Sequence, residues 1–239
     1  MNVAIIPARG GSKRIPKKNI RMFCGQPMIA WSIQTALESH CFDRVLVSTD
    51  SKEIAEVAET AGAEVPFLRP KSLSDDYVGT AQVVVHALNE LEASGESIDY
   101  ACCLYATAPF VRVQELRQGL DLLKQSAASY VFTVTSFPFP IQRALKLSKE
   151  KGVTMFYPEH EQSRSQDLEE AYHDAGQFYW GKSSAWINRQ PIFSSYSIPL
   201  RLPRYQVQDI DIEEDWLCAE ALFRSMKDRT HTTVQSPHE

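Results

Sequence analysis

The residues best suited to chemistry lie near the start of the chain, where several cations surround a pair of glycines. Six basic residues fall within the first 21 positions, and the first acidic residue is Glu38. They are Arg9, Lys13, Arg14, Lys17, Lys18 and Arg21. Gly10 and Gly11 allow backbone N–H groups to approach a ligand closely, and such cations pair well with phosphate oxygens. Because the whole chain carries a net charge of −5, this local excess predicts a site for a small anion.

The two best-known phosphate loops do not match this segment. A Walker A loop requires G-x-x-x-x-G-K-[ST], and a dinucleotide fingerprint requires G-x-G-x-x-G. Neither pattern occurs around Gly10 and Gly11. The alternative to a binding loop is a glycine-rich surface turn with solvated cations. A run of cations without acidic partners favours the binding loop.

A second group of chemically suited residues is the pair Asp209 and Asp211. Residues two apart in an extended chain project to the same face, so these carboxylates point together while Ile210 points into apolar packing. Neighbouring carboxylates repel one another unless a cation lies between them, and Mg²⁺ is commonly held by one or two carboxylates plus substrate phosphates. Alternatively, Asp211 and Glu214 could form a capping box for the last helix, which leaves Asp209 without a role. With the basic segment, the pair indicates a nucleoside triphosphate bound with magnesium.

The elements that position these residues follow from the apolar pattern. Residues 3–6 form a short apolar run typical of a buried strand, which puts the glycines and cations at its carboxyl end, where open α/β sheets bind ligands. Strand and helix patterns alternate over the first 137 residues, so we expect an α/β fold with a mainly parallel sheet flanked by helices. Within it, Asp50 is expected to cap a helix, and residues 65–68 to form a short strand.

The alternation breaks at Phe137, where two prolines within the next three residues prevent a central strand. We interpret residues 138–175 as an excursion from the sheet that contains a hairpin. Residues 1–137 and 176–227 would form the α/β domain, with the sheet resuming over 177–180 and a last helix over about 213–226. Residues 228–239 are expected to be a flexible tail. A small hairpin cannot bury the apolar side chains of the excursion, so they predict a homodimer.

The composition restricts the class of protein. A hydrophobic content of 44% and a charged content of 23% are ordinary for a globular chain. The pI near 5.7 argues against non-specific nucleic-acid binding, and no apolar run approaches the roughly 18 residues of a membrane span. The five cysteines are odd in number and show no C-x-x-C spacing. This pattern favours reduced thiols, so we expect a cytoplasmic protein without membrane or nucleic-acid partners.

Several separated motifs resemble the CMP-sugar synthetases, the cytidylyltransferases that activate nonulosonic acids. The similarity covers nearly the whole chain apart from its tail. The motifs are, in order, Ile6-Pro7-Ala8-Arg9-Gly10-Gly11-Ser12-Lys13-Arg14-Ile15-Pro16-Lys17-Lys18-Asn19, Val47-Ser48-Thr49-Asp50, Leu68-Arg69-Pro70, Leu73-Ser74-Asp75-Asp76, Tyr105-Ala106-Thr107-Ala108-Pro109 and Gln208-Asp209-Ile210-Asp211-Ile212-Glu213-Glu214-Asp215. The segments 139–145 and 165–181 are most similar to the members that act on pseudaminic acid.

The resemblance implies a Rossmann-like nucleotidyltransferase fold whose excursion packs against a second subunit. It also implies that CTP and an acidic nine-carbon sugar react to CMP-sugar and pyrophosphate, with Mg²⁺ as cofactor. The residues expected to bind the nucleotide are Ala8, Arg9, Gly10, Gly11, Ser12, Lys13, Arg14, Lys18, Asn19, Arg69 and Thr80. Lys18, Asp209 and Asp211 would be catalytic, and the two aspartates would carry the metal.

The sugar side of the pocket is where the chain departs from the pattern of sialic acid enzymes. Tyr105 stands where those enzymes carry Gln, and Gln142 replaces an expected Lys, with Arg143 adjacent. His173, Gln177 and Tyr179 are further expected to contact the sugar, although His173 could equally be structural. The departures favour pseudaminic acid. The alternatives are synthetases for sialic, legionaminic or 3-deoxy-octulosonic acid, or a non-catalytic nucleotide-binding protein of the same fold.

Overall fold

The computed structural model describes residues 1–75, 77–148 and 152–232, with side chains of the last helix described up to Lys227. In these ranges the strands are β1 (Asn2–Pro7), β2 (Met22–Phe23), β3 (Gln26–Pro27), β4 (Arg44–Ser48), β5 (Tyr100–Leu104), β6 (Tyr130–Ser136), β7 (Leu145–Ser148), β8 (Gly152–Met155), β9 (Tyr172–Lys182) and β10 (Ser197–Arg201). The α-helices are α1 (Met28–Ser39), α2 (Lys52–Thr60), α3 (Thr80–Ala93), α4 (Val113–Lys124), α5 (Ser183–Ile187) and α6 (Glu213–Thr232). None of the described helices is long and apolar enough to span a membrane.

A six-stranded sheet in the order β10-β6-β9-β5-β1-β4 forms the centre of the molecule. β1 pairs in parallel with both β4 and β5, β10 pairs in parallel with β6, and β9 runs antiparallel between β5 and β6. The predicted mainly parallel α/β fold is therefore confirmed. The chain passes from β1 to β4 on one side and then to β5 on the other, so the order reverses at β1. Such a reversal opens a crevice at the carboxyl ends of the strands, where α/β proteins bind ligands.

Helices cover both faces of the sheet, and the apolar side chains between these layers form the core. On one face, α1, α2 and α4 contribute Ile33, Ile54 and Leu120 to a cluster with the side chains of β1 and β4. On the other face, α3 and α5 contribute Leu88 and Trp186. A third cluster joins the α6 side chains to the segment that follows β1, so the last helix closes over the first loop.

Two local predictions in the first half of the domain are wrong. Ser51, rather than Asp50, caps α2, because its hydroxyl accepts the Ile54 N–H. The Asp50 carboxylate instead accepts the Gly10 N–H at 2.8 Å. Residues 65–68 do not form a strand. The chain there makes only isolated bridges, from Glu64 to β4 and from Leu68 to Thr49.

Two boundaries in the second half also differ from expectation. β9 begins at Tyr172 and not at residue 177, because residues 172–174 already pair with the end of β6. The last four residues of the excursion therefore belong to the sheet or to the bend within β9. The last helix continues to Thr232, past the expected end near Met226, so it takes up the first residues of the predicted tail. Residues 233–239 lie outside the described ranges.

The excursion contains the predicted hairpin, formed by β7 and β8. Its side chains gain little cover from the rest of the chain. Leu147 is 85% exposed and Phe139 is 78% exposed, and Leu145, Val153 and Phe156 are also exposed. The hairpin turn, residues 149–151, lies outside the described ranges.

Candidate active site

A cavity of about 430 Å³ opens at the carboxyl ends of β1 and β5, in the crevice formed by the reversal of strand order. Its walls are the segment after β1, the segment before α3 and the residues after β5. Ten residues predicted to bind nucleotide, sugar or metal line this cavity. They are Arg9, Ser12, Lys13, Arg14, Lys18, Asn19, Arg69, Thr80, Tyr105 and Asp211.

The wall after β1 is the basic loop, which we define as residues 8–19. The buried Asn19 side chain donates to the Arg9 carbonyl at 3.0 Å and so closes the loop on itself. Gly10 lies against α2, where an added Cβ would come within 3.1 Å of the Ser51 Cβ. Ala8 is buried and donates its N–H to the Ser48 carbonyl, which ties the loop to β4. Ala8, Gly10 and Gly11 thus shape the loop, and they are not among the described residues that line the cavity.

Lys18 connects the basic loop to the segment that carries the two aspartates. Its ammonium donates to the Ile210 carbonyl at 2.6 Å and lies 3.6 Å from the Asp211 carboxylate. Arg14 pairs with the same carboxylate at 2.9 Å. Ile210 itself is buried beside Trp216, so residues 209 and 211 are held toward the cavity side. The two predicted chemical groups, almost 200 positions apart, therefore meet.

The electrostatics of the aspartate pair show mutual repulsion. Asp209 is an exposed residue, but nearby atoms partly withdraw water from its carboxylate, and this partial burial raises its pKa. The negative charge of Asp211 raises the pKa further, whereas Lys18 acts in the opposite direction. Asp209 is not among the described residues that line the cavity, although its interaction with Asp211 places it next to the rim.

The capping alternative for Asp211 is not supported by the structure. At the start of α6 the carboxylate of Asp215 accepts the N–H groups of both Asp211 and Ile212. The side chain of Asp211 faces Arg14 and Lys18 instead. Its carboxylate is therefore available for chemistry at the cavity.

Arg69 and Thr80 line the cavity from the segment before α3 and from its first residue. Arg69 is 5% exposed, and its burial lowers the pKa of its guanidinium. Its Nε donates to the Ser74 hydroxyl at 3.2 Å, while its backbone N–H donates to Thr49 at 2.7 Å. A buried cation beside an open cavity costs free energy unless an anion or polar group approaches it, so this side chain suits recognition of a polar ligand.

Tyr105 forms the floor of the cavity at the end of β5, and its ring lies beside that of Tyr179 in β9. Their rings lie 5.5 Å apart, and the Tyr105 hydroxyl is 3.4 Å from that of Thr80. The Tyr179 hydroxyl donates to the Asp174 carboxylate. Burial is the first cause that raises the pKa of both phenols, so both are protonated donors at neutral pH. Tyr179 packs against Tyr105 and is not itself among the described residues that line the cavity.

Four of the residues predicted to contact the sugar lie away from the cavity in a single chain. Gln142 donates to the Glu169 carbonyl, and Arg143 approaches the Ser165 hydroxyl, both within the excursion. His173 packs its ring against Phe137, with ring centroids 4.8 Å apart. Gln177 is buried and directed elsewhere. The single chain therefore does not bring these four to the nucleotide cavity.

Sequence reasoning also missed residues that line the cavity. Asp75 lies in its wall and folds the segment before α3 by accepting the N–H groups of Tyr77 and Val78. Ala106 and Thr107 lie beside Tyr105. All of these except Tyr77 and Val78 occur in motifs of the resemblance. Asp75 lies in an irregular segment, and Ala106 and Thr107 follow the end of β5. These positions were the signals available in the sequence, and they did not indicate a role for any of the three residues.

Comparison with known proteins agrees with this geometry. Residues 3–225 match the family model described as cytidylyltransferase. A pseudaminic acid cytidylyltransferase of Campylobacter jejuni is 48% identical over 223 residues, which cover 93% of this chain and 96% of the relative. A CMP-N,N'-diacetyllegionaminic acid synthase of Legionella pneumophila is 33% identical and covers 92% of this chain and 95% of the relative.

Among solved structures, a CMP:2-keto-3-deoxy-manno-octonic acid synthetase complexed with CTP superposes with a TM-score of 0.68. It covers 94% of this chain and 99% of its own, at 15% identity, and so shows the common fold. The family model that matches residues 3–225, together with the fold and cavity, defines a nucleotidyltransferase. The chain belongs to the cytidylyltransferase family, and the predicted relation to the CMP-sugar synthetases is confirmed.

Proposed function

We propose that this protein joins CTP to pseudaminic acid, forming CMP-pseudaminic acid and pyrophosphate. The observation that carries the proposal is the junction of the basic loop with Asp211 at the mouth of the cavity. In this reaction the anomeric hydroxyl of the sugar acid attacks the α-phosphorus of CTP, and the bond to the β-phosphate oxygen breaks. Catalysis of such a transfer consists mainly of positioning and of charge stabilisation.

Different parts of the cavity would bind different parts of the substrates. The cations of the basic loop hold the triphosphate, and Lys18 stabilises negative charge on the reacting phosphate. Arg69 and Thr80 bind the cytidine side. Tyr105 forms the sugar side, where its protonated hydroxyl is a hydrogen-bond donor. Because Lys18 is held by the Ile210 carbonyl, it is positioned before substrate arrives.

Magnesium fits the aspartate pair. The described residues contain no group of three or more His, Cys, Asp or Glu side chains that could hold a metal. Partial burial, and then the negative charge of Asp211, raises the pKa of Asp209. A cation would relieve this cost, and two neighbouring carboxylates suit Mg²⁺ when substrate phosphates complete its oxygen ligands. Asp209 and Asp211 would hold the ion, with Asp211 released from Arg14. Bound there, it would neutralise phosphate oxygens and lower the pKa of the attacking hydroxyl.

The sugar acid is assigned from the relatives. Over similar lengths the chain is 48% identical to a protein named for pseudaminic acid and 33% identical to one named for a legionaminic acid. Tyr105 supports a site unlike that of sialic acid enzymes, because a phenol donates and accepts through one oxygen, whereas an amide presents an NH₂ donor and a carbonyl acceptor on separate atoms. A site that hydrogen-bonds particular groups can reject analogues by several orders of magnitude.

Competition between pseudaminic and sialic acids at limiting CTP tests the sugar assignment. We expect the pseudaminic product to dominate. Equal or greater formation of the sialic product would refute the assignment while leaving the cytidylyltransferase reaction intact. Pyrophosphate release with CTP, magnesium and pseudaminic acid tests the reaction itself. Its absence, with CTP binding retained, would favour the non-catalytic alternative.

We also propose that two copies associate through the excursion. The support is the apolar surface that a single chain leaves uncovered, including Leu147, Phe139 and Phe156. A groove of about 460 Å³ beside Phe139 and Ile141 continues this surface. Light scattering at micromolar concentration should give the mass of a dimer, and a monomer mass would contradict the assembly.

A cytoplasmic location remains part of the proposal. It is supported by the five cysteines, all of which are free thiols in the structure. Two of them, Cys102 and Cys103, are buried in β5, where burial raises their pKa values and keeps them protonated.

A further inference from the structure

A buried polar cluster lies just before the aspartates and has no part in the proposed chemistry. We define the carboxylate segment as residues 207–212, which connect a short 3₁₀ turn (Arg204–Gln206) to α6 and contain no regular secondary structure. Gln206, at the end of that turn, is only 2% exposed. Gln177, in β9, is only 4% exposed. Two buried glutamines in contact require an explanation, because each carries polar atoms that must be paired.

Gln177 satisfies the backbone of Gln206. Its Nε2 donates to the Gln206 carbonyl at 2.6 Å. At the same time, the Gln177 carbonyl accepts the N–H of Tyr105 at 2.9 Å. The backbone of Gln177 therefore contacts Tyr105 at the floor of the cavity, and its side chain contacts Gln206 at the start of the carboxylate segment.

The side chain of Gln206 is held in turn from α4. With its amide oriented to satisfy hydrogen bonding, the oxygen accepts from Nη1, Nη2 and Nε of Arg112 at 2.8, 2.9 and 2.6 Å. Glu115, in the first turn of α4, lies beside this amide without bonding to it in this orientation, because the atom 3.5 Å from its carboxylate is then the amide oxygen. The second oxygen of Glu115 is buried and finds no hydrogen-bond partner among the described residues. The cluster thus joins α4, β9 and the 3₁₀ turn.

Farther along, the carboxylate segment is held by other contacts. Ile210 is buried in the third apolar cluster, and Lys18 donates to its carbonyl. Asp215 holds the last two N–H groups before α6. Asp209 lies between these fixed points and the Gln206 anchor, only three residues after Gln206. Its position therefore depends on the anchor at its amino-terminal side.

We infer that Gln177 is a positioning residue, which fixes Gln206 and through it the carboxylate of Asp209, and not a ligand of the sugar. This inference rests on the proposed function and sharpens it. A displacement of about 1 Å at a reacting centre can cost on the order of 10²-fold in rate. Loss of the anchor should therefore lower kcat, whereas loss of a sugar ligand should raise the KM for the sugar acid.

The test compares Gln177→Leu with Gln190→Leu. Gln190 also takes part in one side-chain hydrogen bond, which it accepts from the Ser129 hydroxyl, but it lies at the other end of the strands, beside the start of β6. For Gln177→Leu we expect kcat to fall about 10- to 100-fold, with the KM for pseudaminic acid within about 3-fold of the wild type. Amide hydrogen exchange over residues 207–212 should become about 10-fold faster, because a buried carbonyl loses its donor. Gln190→Leu should change neither.

Arg112→Met supplies a second variant for the case in which Gln177→Leu fails to fold. Arg112 is an exposed residue, so its truncation leaves the core intact, yet it removes the guanidinium from Gln206. We expect the same pair of effects, a lower kcat and faster exchange over 207–212. If the two variants fold, their double variant should show effects that are not additive, because both act through Gln206.

Two results would overturn the inference. One is a raised KM for the sugar acid in Gln177→Leu with unchanged kcat and exchange, which would make Gln177 a sugar ligand. The other is unchanged exchange and kcat in Arg112→Met and any folded Gln177→Leu. If the wild type released no pyrophosphate, the proposed function would fail, while the exchange measurement would still decide whether the anchor holds the segment.

Discussion

Replacing either aspartate of the pair by asparagine tests the proposed catalytic centre most directly. Asp209→Asn and Asp211→Asn each remove one negative charge and keep the shape of the side chain. If the carboxylates hold magnesium beside the reacting phosphate, each variant loses charge stabilisation of several kcal/mol in the transition state. We therefore expect CTP-dependent pyrophosphate release to fall by at least about 10²-fold.

The cost to the fold should be small, as the contacts of Asp211 show. Its ion pairs with Arg14 and Lys18 are partly exposed, at 65% and 21% exposure of the basic side chains. Pairs of this kind contribute about 0.2–1 kcal/mol. No helix cap is lost, since Asp215 serves that purpose. Loss of both pairs should therefore lower the melting temperature by at most about 8 °C.

Asp209→Asn should raise the free energy of unfolding, whereas Asp211→Asn should lower it. Partial burial, and then the charge of Asp211, raises the pKa of Asp209 in the folded protein. The folded state therefore binds protons more tightly than the unfolded state, so the wild type loses stability as the pH rises through this window. Without magnesium at pH 7, the variant should be more stable, by less than about 1 kcal/mol because solvent screens an exposed residue. The gain should vanish below about pH 4, where Asp is protonated in both states.

The assay measures pyrophosphate release and urea unfolding for both variants beside Glu213→Gln. That control removes the same charge two positions from Asp211, at a carboxylate paired with Arg21. It should keep turnover within about 3-fold, since surface substitutions outside a site have small effects. Folded aspartate variants with turnover within about 5-fold of the wild type would refute the metal assignment.

Three further predictions concern the cavity, the core and the assembly. Arg69→Met should weaken CTP binding about 10- to 100-fold by calorimetry. It should not lower the free energy of unfolding, because the guanidinium that is lost is buried and its pKa is lowered by that burial. Unchanged affinity for CTP would contradict the place of Arg69 in the nucleotide site. Gly181→Ala should lower the free energy of unfolding in urea by about 1–3 kcal/mol, because the added Cβ would come within 2.7 Å of the Tyr130 ring and clash with Trp186. A variant as stable as the wild type would contradict this close packing. Leu147→Glu should convert a dimer to a monomer by light scattering, since it buries a charge in the proposed interface, and a persistent dimer would place the interface elsewhere.

Local pattern was sufficient to predict much of the fold. The apolar run before Arg9 has strand length, and the periodic stripe of α1 has a helical period, so each segment carries its own signal. Local pattern gave wrong predictions of helix caps where two nearby residues are both suited to the role. Asp50 and Ser51 are both good caps, and only the approach of Gly10 to Asp50 decided between them. Likewise Asp215, rather than Asp211 with Glu214, holds the start of α6.

The sequence by itself determined the chemical groups of the candidate site. Residue types and short spacings identify phosphate-binding cations after β1 and an acidic pair before the last helix, because those properties belong to neighbouring positions. Only the tertiary structure decided which groups meet. Lys18 contacts Ile210 across 192 positions, and Gln177 bonds to Gln206 instead of facing the cavity. Such pairings depend on how strands order themselves in the sheet and where β9 bends, and these are properties of the packed chain that no local pattern contains.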